Sequence, residues 1–456
     1  MTDTRLTSIF FDSNLISIHM ICLCNIKAAD VARAYFYWIP HMNLLDDLEF
    51  RGQIYQNTDP EGLAERLAQK PITAYCGFDP TADSMTVGNL ATIMLLCRVQ
   101  RFGHRAIALV GGGTGLIGDP SGKSEERSLN TSETVSEWSS KVQSELERFL
   151  DFGGTNPAVV VNNYDWLSQI SMIDFMRDVG KHFPISYMLA KDSVDSRLQG
   201  GISYTEFSYM VLQAYDFLQL NEKHNCELQL GGSDQWGNIT AGIDLIRRSN
   251  GKKAYGLTAP LVTKSDGTKF GKSEGGAVWL DASKTTPYEF WQFWINAEDA
   301  KVIDYLKVFT FLGHDEINQL AEGVKSTPEK REAQRMLADE VTMLVHSKDA
   351  ALQAGRISNA LFYGEFGELG EDDILQGFND VPTYETTKKP IPIADLLVAA
   401  KICQSKREAR QDVENGAIYL NGQRCSDLSR NLSAKDGLHE KYLIVRRGKK
   451  KYTLIK

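Results

Sequence analysis

No apolar run in this chain is long enough to span a bilayer, so it offers no candidate transmembrane helix and no membrane partner. Its 7 cysteines form no C-x-x-C pair and no even framework, which points to a reducing, cytoplasmic setting rather than to secretion. Cys22 and Cys24 follow His19 closely, but no second ligand pair is spaced to close a tetrahedral site. A protein-bound metal is therefore not expected. The amino terminus lacks the positive charge of a signal peptide, and its aspartates (Asp3, Asp12, Asp30) argue against an organellar transit peptide. Residues 1–41 read as an extension, poorly ordered or preceding the native start.

What is present is a globular composition, 42% hydrophobic and 24% charged over 456 residues, enough for two to four domains. The net charge of −9 hides an asymmetry. From Glu385 onward there are 16 Lys and Arg against 8 Asp and Glu, leaving 34 against 51 before it. A basic tail on an acidic body suggests that one end meets a polyanion, although a solvated charged face would read the same.

Leu63 and Leu67 lie one turn apart in Glu61–Ala68, predicting an amphipathic helix. A strand at Ile72–Gly77, a helix from Val87 to about Phe102 and a buried strand at Ala106–Val110 form the pattern of a parallel crossover. Further strands are expected at Ala158–Val161, Glu227–Leu230 and Leu257–Val262. The order predicts an α/β domain over residues 42–285, a doubly wound parallel sheet with ligands beyond its strand C-termini. A mostly helical domain is expected over 286–363. Its first helix starts at Pro287, and a second starts near Pro328-Glu329 with a stripe of Leu337, Val341, Leu344 and Val345. The acidic, threonine-rich stretch 364–390 reads as a linker, and 391–456 as a small α+β unit.

Two distant segments carry the most chemistry. Tyr75-Cys-Gly-Phe-Asp-Pro-Thr-Ala-Asp-Ser-Met-Thr-Val-Gly-Asn-Leu90 reads as a strand that stops at Asp79-Pro80, turns and enters a helix near Val87. Gly88 lets a planar ring lie close to the backbone, and the helix N-terminus favours phosphate. Lys269-Phe-Gly-Lys-Ser273 puts two ammonium groups and a hydroxyl on a short loop beside Gly267 and Gly271, suited to clamping a polyphosphate. Between them, Gly113-x-Gly115-x-x-Gly118 matches a dinucleotide fingerprint, but Asp119-Pro120 follows at once and Pro120 disfavours the helix that fingerprint needs. The run Gly118 to Gly122-Lys123-Ser124 misses a Walker A loop by one residue. Tyr209, Gln213 and Asp216 fall on one face of an otherwise apolar helix, a costly stripe unless it meets a ligand or a buried polar network.

The first and last of these segments resemble the HIGH and KMSKS signatures of class I aminoacyl-tRNA synthetases. The residues around them, over Met42 to Lys456, are similar to the bacterial and organellar tyrosyl family. Gln229-Leu-Gly-Gly-Ser-Asp-Gln-Trp-Gly-Asn-Ile239 is close to diagnostic of that family. The resemblance implies a Rossmann-like catalytic domain, a helical domain and a C-terminal RNA-binding fold shared with a small-subunit ribosomal protein. It implies that Tyr75 and Asp216 hydrogen-bond a substrate phenol, and that Asp119, Tyr209 and Gln213 hold its ammonium group with Gln235 in reach. It places Cys76, Asp79, Gly88, Thr92, Gly232 and Asp234 at ATP, and Thr81, Lys123, Arg127, Lys269, Lys272 and Ser273 around the phosphates. Lys406, Arg407, Arg410, Arg446, Arg447, Lys449 and Lys450 would meet tRNA. The implied reaction joins tyrosine to ATP, with Mg²⁺ on the polyphosphate, and then passes the tyrosyl group to tRNA(Tyr). A homodimer is implied by the same analogy.

One departure matters. The two histidines of the first signature are replaced by Thr86 and Asn89. The first histidine donates to phosphates as they gain charge, and loss of one such donor costs about 2.7–4 kcal/mol. The alternatives are substitution by Thr86 with a water, a slow enzyme, and a weakened paralogue that only binds RNA.

Overall fold

Strand β2 (Thr73–Phe78) sits near the middle of a six-stranded sheet and decides where everything else goes. The computed structural model describes residues 42–121, 129–191, 194, 201–268, 270–273, 276–379, 381–386, 389–448 and 451–456, with the backbone alone for Lys272 and Ser273. The extension 1–41, with its expected order, lies outside the described residues. The other strands of the sheet are β1 (Gln56–Asn57), β3 (Arg105–Val110), β4 (Val159–Asn162), β5 (Cys226–Gly232) and β6 (Tyr255–Ala259). The spatial order is β1-β6-β5-β2-β3-β4, with only β1 antiparallel. From β2 the chain winds outward through β3 and β4, then returns to the other side of β2 for β5. Strands β2 and β5 therefore flank the point of reversal, and a crevice opens at their C-terminal ends. The two-residue β1 is too short to carry a period, so nothing in the sequence signals it.

Alternation along β2 divides the core. Ala74 and Cys76 join the cluster containing Leu90 and Met94, on the face covered by α3 (Val87–Arg101). Tyr75 points the other way, into the cluster with Met210, Ala214 and Phe217 on α5 (Tyr204–His224). Before these helices run α1 (Leu44–Phe50) and α2 (Pro60–Gln69); α4 (Ser132–Leu146) follows α3, and α6 (Trp236–Asn250) follows β5. Local chemistry sets the ends of α5. Ser203 accepts from the Glu206 amide at 3.2 Å, and Asn225 at φ 50 ends the helix in the left-handed region.

The helical region holds α7 (Pro287–Ile295), α8 (Asp299–Phe309), α9 (His314–Ser326), α10 (Glu332–Val345) and α11 (Lys348–Tyr363). Pro328 does not open α10: Pro328–Lys330 is a separate 3-10 turn, and Arg331 at φ 52 breaks it from the helix. The core crosses the expected boundary near residue 286, since Leu90, Trp294, Phe309 and Leu337 belong to one cluster. Buried Arg51 and Arg98 also donate to the Lys307 and Thr310 carbonyls, beside Asp47.

The stretch 364–390 is not a loose connection. It carries α12 (Glu371–Gly377) and β9 (Thr383–Tyr384), and β9 pairs in parallel with β15 (Lys451–Ile455) of the last sheet. Phe366, Leu369, Ile374 and Phe378 are buried against Tyr442, Ile444 and Leu454. Its apolar residues are few, but Phe366, Leu369, Ile374 and Phe378 are buried, so an acidic composition concealed a folded segment. Strands β7 (Lys272–Ser273) and β8 (Gly276–Ala277) form a hairpin within the lysine loop. The terminal unit pairs β10 (Ile391–Pro392) with β13 (Asn431–Leu432) and builds the order β12-β11-β14-β15-β9 from β11 (Ile418–Leu420), β12 (Gln423–Arg424) and β14 (Leu443–Arg447). Helices α13 (Ile393–Ala399) and α14 (Lys406–Glu414) pack on it.

Candidate active site

Tyr75 from β2 and Asp216 from α5 face the same interior, each about 1% exposed. The Tyr75 hydroxyl is buried without a partner among the described residues, as is the Gln229 Oε1 on the neighbouring register position of β5. Such orphaned groups are costly unless a polar ligand completes them. Asp216 is supported from behind: Trp166 Nε1 donates to its Oδ1 at 2.8 Å and Asn163 Nδ2 to its Oδ2 at 2.9 Å. Burial nonetheless pushes its carboxyl up to about 8, the two donors offsetting only part of the loss of hydration. Burial, then the adjacent Asp216 charge, raises the Tyr75 hydroxyl as well.

A chain of hydrogen bonds runs from this pocket to the sheet edge. Asn163 also donates to Thr114 Oγ1 at 2.9 Å, Thr114 donates to Asp79 Oδ1 at 2.7 Å, and Tyr209 Oη donates to Asp79 Oδ2 at 2.6 Å. Asp79, which the resemblance placed at ATP, thus accepts the Tyr209 hydroxyl and connects through Thr114 and Asn163 to Asp216. Gly111 must be glycine here, because a Cβ would lie 1.9 Å from Asp79 Oδ1. Asp119 is held instead by Gln235, whose Nε2 donates to Oδ2 at 2.7 Å, while Gln213 and Asn238 donate to Gln235 Oε1 at 3.2 and 3.1 Å. A cavity of about 170 Å³ lined by Asp79, Thr81, Gly115, Gly118 and Asn130 adjoins these groups. Thr114, Asn163, Trp166, Gln229 and Asn238 were missed from sequence. The run Asn162-Asn163-Tyr164-Asp165-Trp166 just after a strand was the one available signal.

At the nucleotide end, Thr86 is the N-cap of α3. Its amide and its hydroxyl both donate to Asn89 Oδ1 at 3.0 Å, while the Asn89 amide goes to the Thr86 carbonyl. The two substituted positions therefore satisfy each other. Gly88 is exposed at this N-terminus, and a Cβ on Gly271 would meet its amide at 3.3 Å, so the lysine loop passes directly over it. Phe270 anchors that loop among Tyr305, Phe293, Trp294 and Phe309, at 4.6 to 5.5 Å between ring centres. Lys272 and Ser273 lie on β7; Lys123, Arg127 and Lys269 lie outside the described residues. Cys76 is buried with its thiol pushed up to about 12 by burial, Thr92 donates to the Asn89 carbonyl, and Gly232 with Asp234 closes β5. Among the described residues no cluster of three His, Cys, Asp or Glu could hold a metal, and no helix is long and apolar enough to cross a membrane.

The terminal unit divides its cations. Arg407 and Arg410 are exposed on α14, whereas Lys406 pairs with Asp395 at 2.8 Å. Arg447 bridges Glu408 and Asp412 at 2.6 and 2.7 Å, and Arg446 lies 4.0 Å over the Tyr419 ring, so both knit the unit together. Lys449 and Lys450 lie outside the described residues.

Residues 67–363 match the model of the tRNA synthetases class I (W and Y), and 373–455 match a tyrosine–tRNA ligase SYY-like C-terminal domain. The chain is 58% identical over 417 residues to a tyrosine–tRNA ligase of Bacillus velezensis, covering 91% of this chain and 99% of that one. The same figures relate it to tyrosine–tRNA ligase 1 of Bacillus subtilis. Among solved structures, a C-terminally truncated mitochondrial tyrosyl-tRNA synthetase of Aspergillus nidulans superposes with a TM-score of 0.65 at 29% identity, covering 73% of this chain and all of that one.

Proposed function

The chain belongs to the class I tRNA synthetases (W and Y), and from that membership we infer that it is a tyrosine–tRNA ligase acting on tyrosine, ATP and tRNA(Tyr) in the cytoplasm. The observation that carries the amino-acid choice is the pairing of the orphaned Tyr75 hydroxyl with the braced carboxylate of Asp216 in one buried pocket. A phenol completes both groups. A phenyl ring leaves the Tyr75 hydroxyl unpaired in a dry site and offers Asp216 no donor, which is a strong basis for rejection.

The substrate carboxylate attacks the α-phosphorus of ATP in line and pyrophosphate leaves, with no protein nucleophile. Asp119, Gln213, Tyr209 and Asp79 receive the ammonium group, which takes over the carboxylate now held by Gln235. Asp234, Gly232, Cys76 and Thr92 bound the ribose and Gly88 the adenine. Lys272, Ser273, Thr81, Lys123, Arg127 and Lys269 stabilise the phosphates, with Mg²⁺ carried on ATP. Tyrosine-dependent exchange of labelled pyrophosphate into ATP tests this. Exchange with tyrosine and none with phenylalanine is expected; protein that binds tRNA without exchanging would establish the RNA-binding paralogue instead.

Exposed Arg407 and Arg410, on one helix, are cations available to meet tRNA phosphates. Reversing both to glutamate is expected to weaken tRNA binding and flatten its dependence on salt, leaving pyrophosphate exchange unchanged; an unaltered salt slope would refute this. A second copy of the chain is the proposed occupant of the surface bearing Met172, Ile173, Met176, Ile185 and Leu189, which are 37–74% exposed within residues 172–189. Ile173→Asp should convert a dimer into a monomer in sedimentation, and a wild-type monomer would end that proposal.

A further inference from the structure

Glu145, near the end of α4, has no place in the chemistry described so far, yet its carboxylate is committed to the entrance of α3. It is 8% exposed. Its Oε1 accepts from Ser84 Oγ at 2.6 Å and its Oε2 from the Met85 amide at 2.8 Å. Those residues form the turn that delivers Thr86 to the N-cap. The same turn is gripped from its other side by the segment following the lysine loop. The Leu280 amide donates to the Met85 carbonyl at 2.8 Å, the Val87 amide to the Val278 carbonyl at 3.0 Å, and Thr86 bridges Trp279. The Val278 amide in turn donates to the Gly271 carbonyl at 3.0 Å, one residue before Lys272. Asp83, the residue before Ser84, is held by Lys284 and by Lys141, which is one turn from Glu145 on α4.

We propose that Glu145 is a positioning residue for adenylate formation. By fixing the Ser84-Met85 turn it sets the α3 N-terminus and the lysine loop at one mutual distance. The physical case rests on connectivity. Ser84 and Met85 precede the first helical turn, so no α3 hydrogen bond fixes them. The contact with 278–280 takes the Met85 carbonyl and the Val87 amide, and among the described residues the Glu145 carboxylate is what holds the Met85 amide. Removing it leaves a buried amide and hydroxyl to find other partners, and the turn shifts to do so. A displacement of the phosphate-binding elements on an ångström scale is costly to a reaction that depends on alignment. The tyrosine pocket lies on the opposite face of the sheet, with Tyr75 in a different core cluster from Val87, and is not tied to this turn.

The inference rests on the synthetase reading, so its test has a readout independent of that activity. Glu145→Ala is expected to lower kcat of pyrophosphate exchange about tenfold to a hundredfold and raise KM for ATP, with tyrosine KM changed by less than about twofold. Glu145→Gln, which can still accept from the Met85 amide, should recover most of the loss. Hydrogen exchange should show lost protection at Met85 and Leu280 in the alanine variant and normal protection in β2 and α5. Unchanged kcat with lost Met85 protection would overturn the positioning role. Retained Met85 protection would overturn the structural premise, and equal losses for tyrosine and ATP would reduce Glu145 to general stability. Wild-type protein that fails to exchange at all would instead discard the synthetase reading and leave the Met85 result standing.

Discussion

Asp216→Asn is expected to weaken tyrosine binding about tenfold to a hundredfold, the cost of a mismatched hydrogen bond left in a dry pocket. The same substitution should alter stability in a pH-dependent way. The folded-state pKa of about 8 lies above the value an unfolded aspartate has. Between those values the native carboxyl keeps its proton while the unfolded one ionises, so the wild type loses stability as pH rises toward about 8 and is level beyond it. Asparagine does not titrate. The stability of the variant relative to wild type should therefore improve steadily from pH 4 to 8 and then flatten. Asparagine also presents an amide to Asn163 Nδ2, losing one acceptor, so the slope with pH is the diagnostic quantity and not the sign at one pH. Urea denaturation at pH 5, 7 and 9, beside tyrosine titration, checks both parts. A pH-independent difference would show that the carboxylate is already ionised at neutral pH.

Thr86→His is the second. Restoring a side chain that can donate to the phosphates should accelerate adenylate formation about a hundredfold to a thousandfold, with tyrosine affinity unaffected. The local geometry makes the substitution tolerable. Asn89 Oδ1 accepts from the backbone amide of residue 86 as well as from the hydroxyl, so only the hydroxyl contact is lost. That loss should cost about 1 kcal/mol in an exposed position. Single-turnover formation of the adenylate, followed alongside thermal unfolding, separates the two effects. A rate that stays level or falls would mean that the capping pair, or a water it binds, already supplies what the histidine would.

Some of the molecule was written into the chain in readable form. Ala106–Val110 is an unbroken apolar run because a central parallel strand is buried on both faces, and the fold buries all of it. The three-and-four spacing of Tyr209, Gln213 and Asp216 placed them on one helical side, since helical period is a local property. Local period also fixed that Tyr75 and Cys76 face opposite ways. Which helix covers which face is not local, and here the fold decided. Asp79 came to Tyr209 across 130 positions of sequence, and Gln235 to Asp119 across 116. Asn163 and Trp166 became the brace of Asp216 because β4 ends where α5 passes, a fact of strand order with no sequence period behind it. The segment 364–390 shows the same limit from the other side: its isolated Phe366, Ile374 and Phe378 have no meaning until Tyr442 and Leu454 arrive to cover them.

A chain carries its own short-range instructions in spacing and residue type, and these sufficed to put Tyr209, Gln213 and Asp216 on one helical face and to mark out the lysine loop. Distance across the crevice, and who braces whom, emerged only once sheet order brought remote segments side by side, because burial energy depends on neighbours that no local pattern encodes.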